Sequence, residues 1–149
     1  MKVRDVMTRS IVTVSPDASI KEVAELMQKH NVGAIPVVDQ NGLKGIVTDR
    51  DLVVRNIASG KDPFSTPVKE VMTSQVTAVT PDEDISSVTK IMASRQIRRL
   101  PVVDNQQVIG MISLGDIATT GRPELTMEAS EALSEISKPS RPLKTNAPR

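Results

Sequence analysis

The feature that most constrains this chain is an internal repeat. Residues 5–52 align with residues 70–117 at a constant offset of 65 without a gap, and fifteen of the 48 aligned pairs are identical. Most of the identity lies in three motifs, "VMT", "PVVD" and "G-h-h-[ST]-x-x-D", where h is an aliphatic residue or methionine. A gap-free match of this length indicates duplication of one structural unit.

Each copy predicts the same order of elements, β-α-β-β-α. An apolar run that ends at a Ser-Pro or Thr-Pro turn predicts the first strand, and apolar residues at helical spacing over residues 20–27 and 85–92 predict the first helix. Two apolar runs around Asn41-Gly42 predict a hairpin; the second copy has the weaker turn sequence "DNQQ". A second helix is expected over about residues 49–58 and, in a shorter form, from Gly115.

The expected fold class is therefore α/β (α+β), with two β-α-β-β-α repeats packed sheet to sheet about a pseudo-two-fold axis. One copy of about fifty residues is marginal alone because it leaves a sheet face uncovered. The predicted bounds are residues 1–60 and 68–120 for the repeats, 61–67 for the linker and 121–149 for a C-terminal helix and a basic tail. The tail "SKPSRPLKTNAPR" has three prolines and no acidic residue, which predicts disorder.

The C-terminal helix carries an apolar stripe, which predicts that it packs against this chain or a second copy. The stripe consists of Leu125, Ala129, Ala132, Leu133 and Ile136.

Composition restricts the possible chemistry. The 19 basic and 18 acidic residues nearly cancel, so no global field favours nucleic acid or a membrane surface. Without cysteine and with His30 as the only histidine, the chain offers no thiolate or multi-histidine metal site and no histidine relay. Phe64 is the only aromatic residue, so a bound base would lie between aliphatic side chains. With no signal peptide and no membrane-spanning run, we expect a cytoplasmic protein.

Two interpretations fit the repeated corners Thr48-x-x-Asp51 and Ser113-x-x-Asp116. In the first, each is a capping box that stabilises the start of a helix. In the second, the helix start attracts phosphate and the carboxylate accepts two hydrogen bonds from the vicinal diol of a ribose. Because the motif occurs at equivalent corners of a duplicated unit, the binding interpretation gains weight, and both remain open.

The motifs, in this order and twice, resemble a pair of cystathionine-β-synthase-type (CBS) domains, the Bateman module, over about residues 1–120. The resemblance implies adenine-ligand binding, with AMP, ADP, ATP or S-adenosylmethionine as the ligand, in two clefts between the copies. Such modules commonly form homodimers and regulate attached enzymes, channels or transporters or stand alone, and this chain resembles a stand-alone member. No catalytic residue, metal site or cofactor is expected.

The family implies composite clefts, in which the acid holds ribose, the hydroxyl touches phosphate and the strands hold adenine. The first cleft would bring Thr48, Arg50 and Asp51 to face Val76, Thr77, Arg98, Arg99, Leu100 and Pro101. The second would bring Ser113 and Asp116 to face Val12, Thr13, Gly33, Ala34, Ile35 and Pro36. Because its arginines suit phosphate, the first cleft is expected to take a nucleotide. The second is expected to take an uncharged adenosine moiety or stay empty.

The resulting hypothesis is a non-catalytic adenine-nucleotide-sensing module with an unidentified client and no nucleic-acid or membrane partner. A ligand-free homodimeric scaffold is the alternative. A nucleic-acid binder using the basic tail with Arg95, Arg98 and Arg99 is disfavoured by the balanced charge. An enzyme is the least favoured, because Asp49 and Asp51 are explained by helix-start preference and ribose binding.

Overall fold

The computed structural model describes residues 1–139, so most of the predicted disordered tail, residues 140–149, lies outside the described part. In chain order the elements are α1 (Val3–Val6), α2 (Ile20–His30), β1 (Ala34–Asp39), β2 (Gly42–Thr48), α3 (Asp49–Asp51) continued by a π-helical turn (Leu52–Ile57), a 3-10 turn (Val68–Glu70), α4 (Ile85–Arg95), β3 (Arg99–Asp104), β4 (Gln107–Ser113), α5 (Leu114–Ala118) and α6 (Pro123–Ile136). The predicted fold class is confirmed: each repeat has a β-hairpin with its helices, and a C-terminal helix follows.

The elements form two compact units that do not follow chain order. Within the described residues, one unit contains Met1–Arg9, Ala78–Asp104 and residues 109–139, and the other contains Ser10–Thr77 and Asn105–Val108. We call them the β3–β4 unit and the β1–β2 unit after their hairpins. The predicted domain bounds are continuous sequence ranges that correspond to the two repeats. The two units are instead groups of segments that contact one another, and each contains segments from both repeats.

The first nine residues are anchored in the β3–β4 unit. The backbone N–H of Val3 donates to the carbonyl of Glu83 at 2.9 Å, and Thr8 exchanges two backbone hydrogen bonds with Met111. Arg4 forms an ion pair with Asp82. The hydrogen bond and positive charge of Arg4 lower the pKa of the Asp82 carboxyl. Residues that begin the first repeat therefore complete the unit built around the second hairpin.

The first strand of each repeat is a single parallel bridge, not a continuous strand. In the β1–β2 unit, the N–H of Val14 donates to Pro36 O at 3.1 Å and Val38 N–H donates to Val14 O at 2.8 Å. The next bonds of a parallel ladder would require N–H groups from Pro16 and Pro36, which proline lacks. The equivalent bridge joins Val79 and Val102, where the same argument applies to Pro81 and Pro101.

The two hairpins turn differently. In the first, Asp39 is opposite Gly42, so the loop is Gln40-Asn41 and Gly42 takes the positive φ of 106°. In the second, Asn105 and Gln106 both have positive φ, 50° and 67°, which are the signs of a type I′ turn. The weaker turn signal "DNQQ" therefore still forms a hairpin, with an unfavourable glutamine at a position that favours glycine.

We expect Gln106→Gly to stabilise the protein by about 0.5–1 kcal/mol, because glycine adopts this left-handed conformation without a Cβ penalty. The midpoint of urea unfolding measures the change. Gln107→Gly, one residue further in β4, is the matched control and should destabilise, since glycine weakens a strand. Equal shifts in both variants would contradict the turn assignment.

The C-terminal helix packs on its own chain. Leu125, Ala129 and Ala132 are buried in the core of the β3–β4 unit, and Glu128 accepts hydrogen bonds from Ser86 at 3.0 Å and Thr89 at 3.3 Å. Leu133 of the predicted stripe does not share this buried face, because that side chain is 46% exposed; packing of the stripe against a second copy stays a prediction. Leu133 lies about 100° around the helix from Ala132, at the edge of the stripe.

Candidate functional site

The first candidate site is the corner where β2 enters α3, which we call the first corner. Thr48 is the N-cap: its Oγ1 accepts the N–H of Asp51 at 3.2 Å, and Asp51 Oδ2 accepts the N–H of Thr48 at 2.9 Å. The capping-box interpretation is therefore confirmed here. It leaves the Thr48 hydroxyl hydrogen and the second carboxylate oxygen for other partners.

The second corner, where β4 enters α5, has the same geometry. Ser113 Oγ accepts the N–H of Asp116 at 3.0 Å, and Asp116 Oδ2 accepts the N–H of Ser113 at 3.0 Å. Each corner thus fixes a carboxylate within one turn of a hydroxyl. Such a pre-organised acceptor loses little side-chain freedom when a ligand donates to it.

At each corner, the backbone at the start of the first hairpin strand of the same repeat pairs with the residues that begin the helix. Ala34 is the register partner of Thr48, and Gly33 O accepts the N–H of Asp49 at 3.0 Å. At the second corner, Arg98 O accepts the N–H of Leu114 at 2.8 Å. The backbone of Arg98 therefore lies at the second corner, whereas sequence analysis assigned its side chain to the first cleft. That assignment stays a prediction.

The two carboxylates differ in exposure and partners. Asp51 is 5% exposed, and its Oδ1 lies 3.7 Å from Nε of Arg55, one turn along the helix. Asp116 is only half-buried, and its Oδ1 makes no hydrogen bond or ion pair within residues 1–139. At the offset of 65, the residue equivalent to Arg55 is Thr120. Arg55 was not predicted as a site residue, although its spacing of four residues from Asp51 indicates an ion pair along a helix.

The "VMT" motifs, which occur once in each repeat, also have a structural role that was not predicted from the sequence. Thr73 exchanges backbone hydrogen bonds with Ile46, both at 2.9 Å, so the "VMT" segment of residues 71–73 crosses β2 at Gly45. A Cβ on Gly45 would lie 2.5 Å from Sδ of Met72. Gly45 and Gly110 therefore both allow a crossing segment to approach the hairpin closely.

The other predicted site residues are distributed over both units. Exposed or half-buried side chains at which a ligand could bind are those of Arg50, Val12, Thr13, Ala34, Val76 and Thr77 in the β1–β2 unit and Arg98 and Arg99 in the β3–β4 unit. Ile35, Pro36, Leu100 and Pro101 are buried. Their association into composite clefts stays a prediction.

The described residues contain no group of three or more histidine, cysteine, aspartate or glutamate side chains arranged to hold a metal ion. Within the same 139 residues, every helix is too short or too polar to cross a membrane.

The sequence matches the model of the CBS domain family at residues 3–56 and 68–120. This chain belongs to the CBS domain family and contains a tandem pair of these domains. It is 46% identical to the CBS domain-containing protein YhcV of Bacillus subtilis over 136 residues, which cover 91% of this chain and 94% of that protein.

Two solved structures of related proteins bear on ligand binding and on oligomer formation in the family. The CBS domain pair of protein MJ0100, in complex with 5′-methylthioadenosine and S-adenosyl-L-methionine, matches with a TM-score of 0.71 and 30% identity over 79% of this chain and 93% of its own. The hexameric CBS-CP12 protein from bloom-forming cyanobacteria matches with a TM-score of 0.72 and 29% identity over 80% of this chain and 70% of its own. Relatives of this chain therefore bind adenosyl ligands and form oligomers.

Proposed function

We propose that this CBS pair is a non-catalytic sensor that binds an adenosine-containing small molecule. Asp116 or Asp51 accepts hydrogen bonds from the ribose diol in this proposal. The observation that carries it is the second corner, where a capping box fixes the carboxylate and leaves Oδ1 of Asp116 for a ligand. The adenosyl ligands of the MJ0100 pair support this ligand class.

The chemistry of the corners favours ribose over deoxyribose. A vicinal diol presents two donors, and a charged acceptor strengthens each hydrogen bond to about 1.5–3 kcal/mol. A ligand that lacks one hydroxyl loses that bond. Adenine would lie against aliphatic side chains, because the chain has a single aromatic residue, Phe64. The recognition is therefore based on the sugar, with the base held by apolar contact and backbone.

Exposed arginines extend the proposal to nucleotides. Arg50 is at the first corner, and Arg98 and Arg99 lie at the start of β3, beside the second. Guanidinium groups suit phosphate recognition because their planar donors match two phosphate oxygens. We therefore propose that the pair distinguishes adenine nucleotides, such as AMP, ADP and ATP, from uncharged adenosyl compounds.

The first test uses the very low ultraviolet absorbance of the chain, which has no tryptophan, no tyrosine and one phenylalanine. A bound adenine would therefore dominate the spectrum near 260 nm. Freshly purified protein is heat-denatured and filtered, and the filtrate is examined near 260 nm and by mass spectrometry. Calorimetric titrations with 5′-methylthioadenosine, S-adenosylmethionine, AMP and ATP follow. We expect binding of at least one of them, weakened about tenfold or more by a 2′-deoxy analogue. The sensor proposal is wrong if none of the four ligands binds.

An exposed apolar surface supports oligomer formation. Val53 and Ile57, one turn apart after the first corner, are 54% and 65% exposed. Two aliphatic side chains exposed on one helix are suited to contact with a second copy. We propose a homodimer, which sedimentation equilibrium measures directly. A dimer that binds none of the four ligands would favour the alternative function, a ligand-free scaffold.

A further inference from the structure

Arg55 connects the carboxylate of the first corner to a distant backbone segment of the same unit. Its Nε lies 3.7 Å from Asp51 Oδ1, an ion pair between two largely buried side chains. Its Nη1 donates to the carbonyls of Val71 and Met72 at 3.3 and 3.4 Å. One guanidinium therefore contacts both the proposed ribose acceptor and the "VMT" segment of residues 71–73.

The segment that Arg55 contacts is itself held to the hairpin. Within residues 1–139, Thr73 forms the one β-bridge between this segment and β2, through its two hydrogen bonds with Ile46. Met72 lies over Gly45 in the same crossing. Arg55 thus adds two hydrogen bonds to a segment that the Thr73 bridge and the buried Val71 also hold, and its loss should loosen the crossing.

Arg55 lies in a turn that departs from regular α-helical bonding. Residues Leu52–Ile57 form a π-helical turn, in which Ala58 N–H donates to Val53 O at 2.9 Å. The neighbouring Asn56 is fully buried, and its amide oxygen and nitrogen make no hydrogen bond to any residue of the described chain. π-Helical turns and poorly satisfied buried polar groups are both typical of functional segments.

The second repeat provides an internal comparison. Thr120 stands where Arg55 stands in the first repeat, and α5 ends at Ala118 without a π-helical continuation. Asp116 has no ion pair within residues 1–139, whereas Asp51 has one. The connection between carboxylate and "VMT" segment is therefore a property of the first corner alone.

We propose that Arg55 is a latch through which ligand binding at the first corner loosens the "VMT" segment of residues 71–73. The inference rests on the proposed function. Thr48 N–H already bonds to Asp51 Oδ2, so in this proposal the ribose diol bonds to Oδ1, the oxygen that Arg55 faces. A diol bound there displaces the guanidinium and breaks its hydrogen bonds to Val71 and Met72. By linkage, the intact latch weakens binding at this corner.

The test begins with hydrogen–deuterium exchange of the ligand-free full chain. Arg55→Met keeps the unbranched apolar stem but removes the charge, and we expect exchange over residues 71–75 to rise about tenfold. Lys29→Met, which replaces an exposed cation on α2 of the same unit, is the matched control and should leave that exchange unchanged. If Arg55→Met does not fold, Arg55→Lys retains the charge opposite Asp51 but cannot reach both carbonyls, and it should show a smaller rise. Unchanged exchange in the folded variant overturns the latch.

The ligand arm uses 5′-methylthioadenosine in an Asp116→Asn background, which leaves the first corner as the binding site. We expect saturating ligand to raise exchange over residues 71–75, and Arg55→Met to tighten binding about tenfold. Binding at the first corner without a change in exchange overturns the latch alone. Binding at neither corner of the unmodified protein overturns the proposed function and the latch together.

Discussion

Replacing Gly45 with alanine should destabilise the protein by about 1–3 kcal/mol, the range expected for overpacking a close contact. The new Cβ would lie 2.5 Å from Sδ of Met72 and 2.8 Å from the carbonyl oxygen of Thr73. The methionine side chain can rotate away. The carbonyl cannot move without breaking the bridge between Thr73 and Ile46, so the cost is expected to include that bridge.

Gly110→Ala should destabilise for the same reason in the β3–β4 unit. Its Cβ would lie 2.7 Å from Thr8 O and 3.1 Å from Sδ of Met7. Neither glycine has a positive φ, so any loss of stability reports steric contact and not backbone strain. The two variants are therefore equivalent tests of one structural device that occurs twice.

Gly115→Ala is the matched control, because its Cβ would meet nothing closer than 3.7 Å, the distance to Ser113 Oγ. Gly115 is exposed in α5, where alanine should be neutral or stabilise by up to about 1 kcal/mol. Urea unfolding followed by far-ultraviolet circular dichroism compares all three variants. If Gly45→Ala and Gly110→Ala were as stable as Gly115→Ala, the conclusion that the "VMT" segments cross the hairpins closely at these two glycines would be wrong.

The order of elements could be predicted from the sequence because it depends on local patterns. Apolar spacing indicated the helices, and the hydroxyl-x-x-acid spacing indicated the capping boxes at Thr48 and Ser113, which the structure confirms. The role of Gly45 and Gly110 could not be predicted in this way. Thr8 bonds to Met111, more than a hundred residues away, and a repeat pattern does not show that a "VMT" segment completes the hairpin of the other repeat.

The difference between the two corners illustrates the same limit. The first cleft was predicted to take a nucleotide because of Arg50, Arg98 and Arg99, whose charges are visible in the sequence. The partner that constrains Asp51 is Arg55, and its contact with Val71 and Met72 depends on the folding of a segment sixteen and seventeen residues further on. Charge can be counted from a sequence, whereas the partner of each charge depends on tertiary structure.

Because Arg55 faces Asp51 and no equivalent residue faces Asp116 within residues 1–139, we expect the second corner to bind the ligand more tightly than the first. The arginines visible in the sequence predicted the opposite order of affinity. Asp116→Asn should weaken binding of 5′-methylthioadenosine by about ten- to a hundredfold, because a carboxylate oxygen that accepts from the diol is replaced by an amide. Asparagine is isosteric and can still accept the N–H of Ser113, so the capping box and the helix start should persist. The matched variant Asp51→Asn should leave the tighter binding event intact, since Oδ1 of that carboxylate already faces the Arg55 guanidinium at 3.7 Å.

Calorimetry of the two variants separates the corners, and urea unfolding of the same samples reports whether either substitution affects folding. The predicted pattern is loss of the tighter event in Asp116→Asn alone. The opposite pattern, loss in Asp51→Asn alone, would mean that the ion pair with Arg55 supports the binding geometry instead of competing with it. Because Oδ1 of the half-buried Asp116 makes no hydrogen bond or ion pair within residues 1–139, whereas Oδ1 of Asp51 requires an ion pair to open, we expect the second corner to bind first and the first corner to respond at higher ligand concentration.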